Sequence, residues 1–382
     1  MSSNITPISG IFGRRMDSVE KAEKTGAVKS ENLGTFKQNA DDGEYEDATL
    51  HFAEHKSKSF LNKYGRYEKT ALYFASQYED SNNVKLLPEQ NADVNVKDSD
   101  GKTALHLASE NGDSKTVKLL LEYNADVNVE DKDGKTALHV AVQRWDRSIV
   151  KLLLEHNVDV NVKDNDGKTA LHLASENGDS KTVKLLLEYN ADVNVEDKDG
   201  KTALHVAVQR WDRSIVKLLL EHNVDVNVKD KVEKAALHFA AERGDSETVE
   251  LLLEHKADIH VKGKVPDTVT IDKDGKTALH FAGGRGSPQI VKLLLKHKAD
   301  VNVKDKDGKT ALHFAGGSGS PQIVKLLLKH KADVNVKDKD EQTALHFAAK
   351  TGDSDTVEFL LEHKADVHVK GKVFDATSSD QT

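Results

Sequence analysis

Cysteine is absent from the 382 residues. That excludes disulfide scaffolds, thiolate zinc sites, iron–sulfur clusters and cysteine nucleophiles. No run of 18 apolar residues exists, so no membrane-spanning helix and no membrane partner are expected. Residues 1–18 lack an apolar stretch of leader length, so a secretion signal is not expected either. Aromatics are 5% of the chain, too few for one large aromatic core. Arginine is scarce, 9 against 46 lysines, and the net charge is −9. An acidic chain lacks the basic footprint of a nucleic-acid binder, so no nucleic-acid partner is expected. A cysteine-free chain fits a reducing compartment. The expected location is cytoplasmic, with nuclear or host-cell placement left open.

What is present is a repeat. The tetrapeptide Thr-Ala-Leu-His, or a near variant, begins at Thr70, Thr103, Thr136, Thr169, Thr202, Ala235, Thr277, Thr310 and Thr343. The spacing is 33 residues, except for 42 between Ala235 and Thr277. Upstream, residues 48–53 read as a damaged start, 22 residues before Thr70. Units this short cannot bury a core alone and must stack. The expected organisation is a mobile tail at 1–46, a truncated repeat at 47–64, and an array of nine repeats at 65–370. A nine-residue insertion lies near 264–272, and a mobile tail covers 371–382.

Within one unit, Asp98-Ser99-Asp100-Gly101 reads as a turn, with glycine at the left-handed position. Thr103 caps a short helix carrying Ala104, Leu105, Leu107 and Ala108. Gly112 stops it. Asp113 caps a second helix with an apolar stripe of Val117, Leu119, Leu120 and Leu121. Ser287-Pro288 and Ser320-Pro321 place proline at the first helical position of two later units. Residues 124–129 then run extended to the next turn.

The motifs Asp-Gly-Lys-Thr-Ala-Leu-His, Val-Lys-Leu-Leu-Leu and Ala-Asp-Val-Asn resemble the ankyrin repeat, in nine in-phase copies across about residues 65–370. The resemblance implies an all-α solenoid of helix-turn-helix units with β-hairpin fingers, elongated and curved. It implies a non-enzymatic scaffold that binds unknown partner proteins through its concave face. No cofactor is implied. Four departures stand out. Asn124, Asn157, Asn190, Asn223, Lys256, Lys298, Lys331 and Lys364 replace the glycine that usually ends the second helix; lysine there should cost about 1 kcal/mol. Pro88 should shorten its helix. Tyr73 replaces the motif histidine. Trp145 and Trp211 replace the glycine between helices.

Residues 100–164 are repeated identically at 166–230, and 272–305 match 305–338 except at Arg285 and Ser318. The sixth unit resembles the ninth, so the excess after it reads as a former C-terminal tail that is now internal. Recent duplication and scarce arginine are compatible with an alternative function, a host-directed effector of an intracellular microbe. Enzyme activity in the tails is a further alternative, but they are too short for a catalytic fold.

Eighteen histidines invite a metal reading. Eight are the motif residue: His106, His139, His172, His205, His238, His280, His313 and His346. One per repeat sets neighbours about 10 Å apart, whereas zinc ligands converge to about 2 Å from one ion. No metal site is expected. By the resemblance, each motif histidine ties the helix start to the adjacent turn. Acidic turns such as 131–134 fail as calcium loops, because Val129 and Val140 would fill the first and twelfth positions. There is no catalytic constellation: neither a phosphate loop nor a nucleophile elbow occurs in the right setting. The candidate partner-binding residues are Lys102, Glu110, Asn111, Lys135, Gln143, Arg144 and Trp145, with their copies Lys168, Glu176, Asn177, Lys201, Gln209, Arg210 and Trp211. The tryptophans should be partly exposed. A monomer is expected.

Overall fold

The computed structural model of the chain describes residues 70–259 and 274–372. The expectations for 1–46, for the remnant at 47–64, and for the insertion near 264–272 fall outside these residues. So does the last segment, apart from Gly371 and Lys372. The described residues form eighteen helices, two per repeat, and no strand. They divide into two compact units, one ending at Leu173 and one starting at Ala174.

The second repeat shows why the chain folds this way. Thr103 is extended (φ −96°, ψ 171°) and starts the helix Ala104–Asn111. Gly112, left-handed at φ 79°, ends it. Asp113 then opens Ser114–Glu122, its carboxylate accepting the N–H groups of Lys115 and Thr116 at 3.1 and 3.2 Å. Val117, Leu120 and Leu121 face inward and are buried. Asn124 turns left-handed, and the N–H groups of Asn124 and Ala125 close back on the carbonyls of Leu121 and Leu120. This is a Schellman closure.

The sequence departures keep this backbone. Lys256, Lys298, Lys331 and Lys364 all take φ between 65° and 67° where asparagine or glycine is expected. Lys256 and Ala257 close on Leu253 and Leu252 as Asn124 and Ala125 do on their helix. The preceding repeat adds a tie at two of them: the side-chain N–H groups of Asn302 and Asn335 donate to the Lys331 and Lys364 carbonyls at 3.3 and 3.2 Å.

Three expectations are corrected. The fingers are turns rather than β-hairpins. In the fingers that lie wholly within the described residues one aspartate holds the loop: Asp131 Oδ1 accepts the N–H groups of Asp133 and Lys135, both at 2.9 Å. Adjacent fingers share a single backbone bond, such as Lys132 N–H to the Asp100 carbonyl (2.9 Å), too few for a ladder. Pro88 does not shorten its helix, which runs Ser81–Glu89, nine residues like Ser114–Glu122. Proline this near the end forfeits one bond, and Asn91 N–H still closes on its carbonyl at 2.8 Å. The notion that Ser287 and Ser320 cap their helices, which their place before Pro288 and Pro321 suggests, holds for position alone: both stand at the cap, and their hydroxyls make no capping bond.

Candidate protein-binding face

The motif histidine joins one repeat to the next. His106 Nδ1 accepts the Thr103 N–H at 3.1 Å and lies 2.9 Å from the Thr103 hydroxyl. An amide N–H can only donate, so the ring proton sits on Nε2. Nε2–H donates to the Lys135 carbonyl in the following finger at 3.0 Å. His139 reaches Lys168 and His313 reaches Gln342, both at 3.2 Å, while His280 reaches Val303 and Lys309. Burial lowers the pKa of His106, His139 and His313, and that of His205 to about 4. Among the described residues no cluster of histidines and carboxylates could hold a metal ion.

Tyr73 does the same job by another route. Its hydroxyl bonds the Asp98 carboxylate of the next finger; burial first, then that carboxylate, raises its pKa. A second set of ties runs through asparagine. The Asn95 side-chain oxygen accepts the Asp126 N–H at 2.8 Å, and Asn128 accepts from Asp159 at 2.8 Å. In the second unit, Asn194, Asn227, Asn302 and Asn335 repeat the bond at 2.7–2.8 Å. The histidines ending the second helices are exposed; Nδ1–H of His156, His255 and His330 donates to the carbonyl four residues back.

Stacking therefore uses the histidines, asparagines and finger aspartates, and leaves outward residues of the first helices exposed and Lys102, Lys135, Lys168 and Lys201 half-buried. In the first unit Lys102 pairs with Glu110 at 2.9 Å. Burial opposes the lysine's charge, but the bond to Glu110 and its charge outweigh this and raise its pKa. Asn111 is tied down, donating to the Gln77 carbonyl at 2.9 Å. Lys135 is half-buried, with its carbonyl on His106. Gln143, Arg144 and Trp145 are exposed side by side, and Lys168 is half-buried.

In the second unit Glu176, Arg210 and Trp211 are exposed and Asn177 is half-buried. Lys201 and Gln209 come together, lining a hollow of about 280 Å³ with Asp199, Asp230, Lys231, Val232, Lys234 and Phe239. Trp145 and Trp211 are 55% and 51% exposed, at φ 63° and 65°. They hold the left-handed position that Gly112, Gly178, Gly244, Gly286, Gly319 and Gly352 hold elsewhere.

Sequence reasoning missed Lys234 and its aromatic neighbours. Lys234 is only 3% exposed, bonds Glu242 at 2.7 Å, and lies 5.2 and 4.9 Å from the rings of Phe239 and Phe281. Lys276 lies over Phe314 and Lys309 over Phe347, at 5.0 and 5.5 Å. Each phenylalanine meets the preceding motif histidine edge-on, at 5.7–5.9 Å. The signal was in the sequence: the residue after the motif histidine is Leu107 or Val140 early, and phenylalanine in the last four repeats.

A family model described as ankyrin repeats (3 copies) matches in eight overlapping placements, from 37–131 to 285–371. The chain belongs to the ankyrin-repeat family. It is an all-helical repeat solenoid of that kind. No curated protein matches it. Ankyrin repeats generally mediate protein–protein interaction and are typically non-enzymatic. Among the described residues no helix is long and apolar enough to cross a membrane.

Proposed function

We propose that this ankyrin array is a non-enzymatic scaffold that binds a partner protein on the face made by its fingers and first helices, the concave face in the family. The observation that carries this reading is the pair of tryptophans. A bulky residue in the left-handed region costs about 1–2 kcal/mol, and Trp145 and Trp211 do so while leaving half their surface in water. Arg144 and Arg210 precede them, and tryptophan with arginine is the composition of interface hot spots. We assign Gln143, Gln209, Lys102 with Glu110, Asn111, Lys135, Lys168, Glu176, Asn177 and Lys201 to the same reading as further contact residues.

Replacing Trp145 and Trp211 by glycine separates binding from stability. Each glycine should stabilise the array by about 1 kcal/mol while weakening partner capture about 30-fold, equivalent to roughly 2 kcal/mol. Capture is measured by affinity purification and mass spectrometry, with Lys118→Glu on a second helix as control. Partners retained by both tryptophan variants and the wild type alike would refute the reading.

A further inference from the structure

The ninth repeat ends in an apolar face that no described residue covers. A hollow of about 380 Å³ lies there, lined by Ala349, Gly352, Ser354, Val357, Glu358, Leu361 and Glu362. Leu361 is 43% exposed. The sixth repeat carries the same seven residue types at the same positions, from Ala241 through Gly244, Val249 and Leu253 to Glu254. There the face is closed. Ala241 and Val249 are fully buried, and Leu253 is only 6% exposed.

What closes it is the helix pair of the seventh repeat, Ala278–Arg285 and Pro288–Lys296. A side chain added at Gly244 would meet Arg285 at 3.8 Å, whereas one added at Gly352 would meet nothing within 4 Å. The covering helix is basic as well as amphipathic. Ile290, Val291, Leu294 and Leu295 are buried, while Lys292 and Lys296 are exposed. It packs beside a helix whose exposed residues include Glu247, Glu250 and Glu254. The ninth repeat keeps that charge as Asp355, Glu358 and Glu362.

We infer that the end face of the ninth repeat docks a basic amphipathic helix of a partner protein, as the sixth repeat docks the seventh. The apolar side enters the hollow against Val357 and Leu361. Lysine or arginine side chains flank it opposite Glu358 and Glu362. A second copy of this face is a poor occupant, because it would bring like charges together. The site is separate from the tryptophan face and does not depend on it.

The probe is a fluorescent peptide spanning residues 276–300, titrated into the full chain with anisotropy as the readout. Saturable binding is expected that weakens with salt. It should fall at least tenfold for Leu361→Glu, and also for a peptide carrying Lys292→Glu and Lys296→Glu. The exposed pair Glu358→Lys and Glu362→Lys should give the same loss without touching the apolar surface, guarding against misfolding of the first variant. Binding that is absent, or untouched by all of these changes, overturns the proposal. Two other outcomes do so as well. Binding that appears only after residues 373–382 are removed assigns the face to the chain's own segment. A dimer in sedimentation that Leu361→Glu dissociates assigns it to a second copy.

Discussion

The sixth and ninth repeats have nearly the same sequence and different surroundings. Leu253 and Leu361 occupy one position in the repeat, yet one is core and the other is surface. His238 is fully buried, and His346 is half-buried. In this array burial belongs to the pair of repeats, not to the residue. A one-dimensional stack is stabilised by nearest-neighbour interfaces, so the same substitution has a different cost at each place in the chain.

The largest contrast lies in the leucines. Leu253→Ala should lower stability by about 3–5 kcal/mol through lost burial and a residual cavity. Leu361→Ala should cost less than about 1 kcal/mol, because much of that side chain is already in water. Denaturant midpoints of the two variants check this, and equal losses would break the comparison.

Acid is the next test, because it acts on the covered histidines. The folded pKa of His205, about 4, lies below the unfolded value near 6.5. The unfolded chain therefore takes up the proton first as pH falls. The contribution is fully present above about pH 6.5 and is lost towards pH 4, about 3 kcal/mol for this one residue. His106, His139 and His313 shift in the same direction. Denaturation midpoints should drop steadily over that window. A flat profile between pH 6.5 and 5 would contradict the buried, neutral ring.

The smallest effect concerns the helix start. Ala235 N–H still donates to His238 Nδ1 at 3.1 Å, but alanine has no hydroxyl. In the ninth repeat the Thr343 hydroxyl lies 3.0 Å from His346 Nδ1. Ala235→Thr should restore that contact and stabilise the sixth repeat by about 0.5–1 kcal/mol, measured as a thermal shift.

Much of this was legible in the sequence. The 33-residue period, the caps at Thr103 and Asp113, and the joining role of His106 follow from local chemistry and from the family resemblance. So does the left-handed turn at Asn124. Other features were hidden because they depend on what the neighbouring repeat brings. Lysine is read as a solvated charge, and only the stacked fold puts Lys234 against Phe239 and Phe281. Asn128 looks like a loop residue until the next repeat offers the Asp159 N–H. The finger pattern suggested hairpins, but the bonds between fingers come singly. Pro88 reads as disruptive by residue type, but it stands one residue from the end of Ser81–Glu89, where little helix remains to lose.

Hydrogen exchange on the full chain tests the neighbour-dependent account most directly. The two segments to compare are Ser246–Glu254 and Ser354–Glu362, near-copies in sequence. Strong amide protection is expected in the first and exchange at least tenfold faster in the second, with the gap closing when the residue 276–300 peptide is added. Equal protection in the two helices without any added partner would contradict it.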